Sequence, residues 1–193
     1  NPQGDPMILL VPEQATHQYE LSLTQDNELG GLIRLQVLSF ERLTWRLLQE
    51  VGGSARIHLS DLGKRMVLRK IIEESKDKLK LFKNAAEQPG FIDQLVESLT
   101  ELRQYCAEPA EILAKVGQES SGLLPAKLSD LVLLSGAMES YLAKGYLDPD
   151  DYLLLLAERI ESSQMLTKAR VWMDGYTGFT PQEYIVLGKL LST

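Results

Sequence analysis

The chain has 193 residues, 44% hydrophobic and 24% charged, with a formal net charge of −7 at pH 7. That length supports one large domain or two small ones with a real core, the composition is ordinary for a soluble globular protein, and no apolar run approaches the ~20 residues of a membrane span. The acidic balance argues against strong nonspecific nucleic-acid binding by the chain as a whole, and one cysteine (Cys106) with two histidines excludes an internal disulfide, disfavours a structural zinc site and suits a reducing cytoplasm.

Asn1-Pro-Gln-Gly-Asp-Pro6 does not begin with Met and reads as a loop entered mid-protein, so the chain is expected to be a piece of a longer one. Met7-Ile-Leu-Leu-Val11 is a continuous apolar run ended by Pro12, which predicts a strand buried on both faces of a parallel sheet. Residues 13–23 have helical spacing, with Ala15, Tyr19 and Leu23 on one side, and Asp26-Asn27 and Gly30-Gly31 punctuate a loop. Leu35-Gln-Val-Leu-Ser39 predicts a second strand. It runs into a helix striped by Phe40, Leu43, Leu47 and Leu48, capped by Ser39 and ended by Gly52-Gly53.

From residue 60 to 163 the periodicity is helical with almost no strand pattern. Ser60 caps a predicted helix to about residue 75, striped by Leu62, Met66, Leu68 or Arg69, and Ile72. Short helices are predicted over 77–88 and from Pro109, and longer ones over 91–105 and 125–144, with 118–122 a polar break. Asp148 and Pro149 supply the cap and first turn of another. Lys64, Arg65, Arg69, Lys70, Lys76, Lys78, Lys80 and Lys83 face only Glu73, Glu74 and Asp77 in the same stretch, a local +5. Such a run is either a solvated helix face or a surface for DNA or a partner subunit.

The end of the chain returns to strand then helix. Val171-Trp-Met173 stops at Asp174, glycines follow at 175 and 178, and Thr180-Pro-Gln-Glu183 is a complete helix-start signature. An acidic residue at the end of a buried strand is where nucleotide-hydrolysing α/β folds hold Mg²⁺. The next position usually carries a second carboxylate, and here it is Gly175. The order β-α-β-α, a helical block, then β-α makes the block an insertion in one crossover of an α/β domain. The expected domains are residues 1–57 with 166–193, and 58–165.

Three segments together resemble superfamily 1 helicase motifs. Ile8-Leu-Leu-Val-Pro-Glu-Gln-Ala-Thr16 resembles motif Ia. Val37-Leu-Ser-Phe-Glu-Arg-Leu-Thr-Trp-Arg-Leu-Leu48 is similar to the next DNA-facing segment. Trp172-Met-Asp-Gly-Tyr-Thr-Gly-Phe-Thr-Pro-Gln-Glu183 resembles a degenerate motif II. The pairing of Leu-Val-Pro-Glu-Gln with Asp-Gly-Tyr…Phe-Thr-Pro-Gln-Glu looks like the AddB-type (RexB-type) subunit of the bacterial AddAB helicase–nuclease, over nearly the whole chain. The resemblance implies an α/β fold, a partial parallel-sheet, P-loop-NTPase-like (helicase 1A-type) domain with a large all-helical (1B-type) insertion. It also implies an AddA-type partner, DNA in the full complex, and a role in resecting double-strand breaks for recombination. ATP with Mg²⁺ and an iron–sulfur cluster would belong to the intact subunit. No Gly-x-x-x-x-Gly-Lys-Ser/Thr loop or cluster-forming cysteine set occurs in these residues, so no cofactor is expected here and no catalytic residue is assigned.

The residues carried over are Asp174 for a degenerate Mg-ATP motif, and Gln14, Ser39, Phe40, Lys64, Arg65 and Lys70 for DNA. Each has a plainer reading. Asp174 can satisfy loop amides, Ser39 can be a helix cap and Phe40 a core ring, and Pro12-Glu-Gln14 can be a loop into a helix. Glu41 stands where relatives often have His, and Glu13 would repel phosphate. Trp45, Trp172, Tyr176 and Phe179 read as packing residues. The leading expectation is a noncatalytic helicase-like region contacting single-stranded DNA and scaffolding its partner in the cytoplasm, with no membrane association; the alternative is a region that docks AddA without touching DNA. A sheet lacking its phosphate-loop strand would also favour self-association.

Overall fold

The computed structural model describes residues 4–25, 33–52, 56–116 and 122–192. The loop glycines 30, 31 and 53 and most of the polar break at 118–122 lie outside them. In chain order the elements are β1 (Met7–Leu10), α1 (Thr16–Gln25), β2 (Leu35–Leu38), α2 (Phe40–Val51), β3 (Ile57–His58), α3 (Asp61–Ser75), α4 (Phe82–Ala85) and α5 (Phe91–Gln104). Then come α6 (Pro109–Val116), α7 (Leu123–Leu142), β4 (Tyr146–Leu147), α8 (Tyr152–Arg159), α9 (Gln164–Lys168), β5 (Arg170–Met173) and α10 (Pro181–Ser192). They divide into two compact units, Asn1–Ala55 with Tyr152–Thr193, and Arg56–Asp151. Both hold small parallel sheets in a largely helical chain.

In the first unit the sheet order is β2-β1-β5, all parallel, with Leu9 opposite Val37 on one side and Trp172 on the other. Because side chains alternate, Ile8, Leu10, Val171 and Met173 share one face. Ile8 and Leu10 are fully buried there with Leu43 and Leu47 of α2, Leu156 of α8 and Val186 of α10. Leu156, Ala157 and Ile160 belong to this core, so residues 152–165 lie in this unit rather than with the helical block. Trp172 points to the opposite face of an edge strand and is 47% exposed, so it is not a core residue.

Local capping sets the helix starts. Ser39 accepts from the Arg42 amide and Ser60 from the Gly63 amide. Thr180 and Glu183 form a reciprocal box, each side chain accepting from the other's amide at 3.3 and 2.7 Å. Gly52, at φ +78°, closes α2 by donating to the Leu48 carbonyl.

In the second unit α3, α5 and α7 share a core that includes Leu68, Ile72, Leu95, Leu99, Leu131 and Leu134. Two short strands that the sequence pattern missed, β3 and β4, pair in parallel across it. The helix predicted over 77–88 shrinks to α4. The cause is Asp130 of α7, 1% exposed, whose carboxylate accepts the amides of Lys80, Leu81 and Phe82, each at 2.8 Å. A buried carboxylate thus satisfies the free amides at the start of α4 from a distant helix, and the chain begins to coil only there. Asp130→Ala strands three amides, and the expected loss is about 3 kcal/mol, read by urea unfolding followed by circular dichroism.

Candidate functional site

The C-terminal ends of β1, β2 and β5 open on a groove of about 440 Å³ lined by Pro12, Glu13, Gln14, Ser39, Phe40, Glu41 and Gly175–Gly178, with Glu183. Ends of parallel strands are where open α/β sheets bind ligands. The three segments singled out in the sequence therefore meet in one place, brought together by the strand register.

Their side chains are arranged for structure as much as for binding. The Ser39 hydroxyl, 3% exposed, donates to the Glu13 carboxylate while capping α2, and the other Glu13 oxygen takes Arg42 Nε at 3.1 Å. Phe40 is 5% exposed and packs edge-on against Tyr176 at 5.6 Å between centroids. Its ring faces the core and offers no free face to a base. Tyr176 continues the contact to Phe179, and Phe179 to Tyr184. Gln14 is exposed at the rim. Burial, then the nearby Glu183 and Glu13 carboxylates, push the Tyr176 phenol up to about 12.

Asp174 is exposed, yet both of its oxygens are acceptors: Oδ1 from the Gly175 amide at 2.8 Å and Oδ2 from the Tyr19 hydroxyl at 2.9 Å. That bond, ahead of a smaller burial effect, raises the Tyr19 phenol above its ordinary value. The pair ties α1 to the end of β5. Gly175 at φ +78° makes the turn that allows it, and a Cβ there would sit 3.3 Å from the Pro12 ring. The groove lining carries Glu13, Glu41 and Glu183 and includes no lysine or arginine, and among the described residues no group of three or more His, Cys, Asp or Glu could hold a metal.

The basic run is rearranged too. Lys64 is 4% exposed, its ammonium held by Asp150, by Asp148 at 3.2 Å and by Thr100 at 3.1 Å. It therefore cannot reach a nucleic acid. Asp148 also accepts the Asp150 amide, the capping role read from sequence. Arg65 pairs with Asp93 at 2.7 Å and Lys70 more loosely with Glu74 at 3.8 Å. The helix turns with Lys64: Leu62 and Met66, expected in the core stripe, stand 65% and 64% exposed, while Val67 and Ile71 are buried.

The same three groove segments lie within a match that runs the length of the chain. The sequence model of the family described as ADDB, N-terminal, matches residues 1–193. The chain belongs to the AddB N-terminal family. Among its relatives, a protein of Heliobacterium modesticaldum is 53% identical over 100% of the chain, one of Desulforamulus reducens 52% over 97%, and one of Anoxybacillus flavithermus 47% over 98%. Each is named as the B-type subunit of an ATP-dependent helicase/deoxyribonuclease. The chain spans only 16–17% of the length of these curated relatives. Among the described residues, no helix is long and apolar enough to cross a membrane.

Lys64→Ala leaves Asp148 buried without its cation, and the expected cost is about 3–5 kcal/mol, measured by urea unfolding. Tyr176 stays protonated in the folded state up to about pH 12, whereas an unfolded tyrosine ionises near pH ~10. Between those values the folded state binds more protons, so its stabilising contribution is complete below about pH 10 and fades as pH rises toward 12. Unfolding at pH 9 and 11.5 is expected to show a larger loss in wild type than in Tyr176→Phe.

Proposed function

We propose that this chain is the noncatalytic, helicase-like N-terminal region of an AddB-type subunit of an ATP-dependent helicase/deoxyribonuclease acting in recombinational repair of double-strand breaks. The observation that carries the reading is identity of about one half to proteins named as that subunit along the whole chain. The strand-end groove is its working surface. Under this reading the first unit is a 1A-type helicase domain and the second a 1B-type insertion. The partner is an AddA-type motor subunit, the setting is the cytoplasm, and ATP, Mg²⁺ and an iron–sulfur cluster are used outside these residues.

Single-stranded DNA contacts this region along the groove through Gln14, Thr177 and the main chain at Gly175 and Gly178. Glu13, Glu41 and Glu183 keep phosphates at the rim, so the contact is made with bases and sugars and the bulk of the affinity comes from elsewhere in the complex. Asp174 supports the noncatalytic assignment, because its carboxylate is engaged by Tyr19 and the Gly175 amide. The acidic lining also favours a second reading, in which this region only docks its partner.

Anisotropy of a labelled single-stranded oligonucleotide tests the first reading. Gln14→Ala and Gly178→Glu are each expected to weaken binding several-fold. The second adds a fourth carboxylate where a Cβ meets nothing within 4 Å. The titration is made on the intact complex, and binding untouched by both substitutions removes the groove contact and leaves the docking reading.

A further inference from the structure

Strands β3 and β4 begin side by side. The Ile57 amide donates to the Gly145 carbonyl at 3.0 Å, and Ile57 then stands opposite Tyr146 in the parallel register. Paired residues of a ladder put their side chains on one face, so Ile57, 63% exposed, shares a surface with Tyr146. The Tyr146 ring stacks on that of Tyr141, near the end of α7, with centroids 5.0 Å apart and planes at 25°, and the two phenols are hydrogen-bonded. Both rings pack against the core of the unit and keep part of their surface in solvent. The Lys144 ammonium lies 5.3 Å from the Tyr141 ring centroid.

Charge on this surface is of one sign. Arg56 and Lys144 precede the two strands, are exposed, and make no ion pair among the described residues. Neighbouring strands run about 5 Å apart, close enough for both side chains to serve one phosphate or two in succession. Residues 56–60 and 140–147 contain no Asp or Glu. The acids that bound the second stretch are engaged elsewhere: Glu139 acts on the Arg103 guanidinium, and Asp148 holds Lys64. Two unpaired cations beside a ring pair and an aliphatic side chain match a chain that alternates phosphates with flat bases, the combination that single-strand binding surfaces use. An acidic peptide matches the cations alone.

We propose that this surface is a second contact for single-stranded nucleic acid, with Arg56 and Lys144 on phosphate and Tyr141, Tyr146 and Ile57 against base and sugar. It goes beyond the strand-end groove and rests on the reading that this region meets DNA in the helicase–nuclease complex.

The test uses the intact complex and a single-stranded oligonucleotide carrying 5-iodouracil, photocrosslinked and mapped by mass spectrometry. Crosslinks at Tyr141 or Tyr146 are expected. Arg56→Glu/Lys144→Glu, with assembly checked by light scattering, is expected to reduce them several-fold while crosslinks at the strand-end groove persist. In anisotropy titrations the same double variant is expected to flatten the slope of log affinity against log salt by about 0.7 to 1.4, the share of one or two single-strand phosphate contacts. The wild-type crosslinks decide the matter alone if the variant fails to assemble. Crosslinks at residues 12–14 or 175–178 with none at the two tyrosines overturn this inference and leave the groove reading standing, whereas crosslinks nowhere in this chain overturn both. An unchanged salt slope overturns it as well, and so does a polyglutamate peptide whose binding depends on Arg56 and Lys144 while that of the oligonucleotide does not.

Discussion

Everything in the first unit depends on β1 being paired on both edges. A four-residue parallel strand has few hydrogen bonds of its own, and its hold on the sheet comes from Ile8 and Leu10, which have no exposed surface at all. Placing that strand between β2 and β5 fixes where Pro12, Ser39 and Asp174 emerge, because Ser39 and Asp174 directly follow, and Pro12 lies two residues past, strand ends in register. The groove is therefore a product of strand pairing before any of its side chains is chosen. Polar contacts then set its shape: Tyr19 to Asp174 draws α1 against β5, and Ser39 and Arg42 fix Glu13 on the opposite side.

Charge is the second constraint. The chain is acidic, and its most basic stretch is largely consumed by internal pairing. Lys64 goes inward to two aspartates and a threonine, Arg65 to Asp93 and Lys76 to Glu87. Of the residues carried over from that stretch, Lys64 alone is buried, while Arg65 and Lys70 stay exposed in surface pairs. Buried ion pairs of this kind add little net stability, but removing one member is costly because the other stays buried. In the strand-end groove the imbalance is acidic, with Glu13, Glu41 and Glu183 in the lining.

Legibility in the sequence tracks how far apart the interacting residues lie. The strand at 7–10, the Ser39 and Ser60 caps and the Thr180–Glu183 box are written in a few adjacent residues, and they form as read. The phase of α3 was not legible. Its periodicity alone points Leu62 and Met66 inward, and only partners 84 and 86 residues later make it cheaper to bury Lys64. The shortness of α4 depends in the same way on Asp130, and the exposure of Trp172 on β5 being an edge strand. The three groove segments were recognisable as motifs. What hid in them was long-range: the Tyr19 hydroxyl lies 155 positions before Asp174, and of the two readings open for Phe40, stacking ring or core ring, its burial and its place against Tyr176 match the core one.

Whether nucleic acid meets the first unit at its strand ends is the central question. Hydrogen exchange of the helicase–nuclease complex, with and without single-stranded DNA, addresses this directly. Slowed exchange at the amides of Gln14 and of residues 175–178, with residues 64–83 unchanged, is the predicted result. Protection confined to residues 64–83, or no change anywhere in this region while the complex holds DNA, would contradict it.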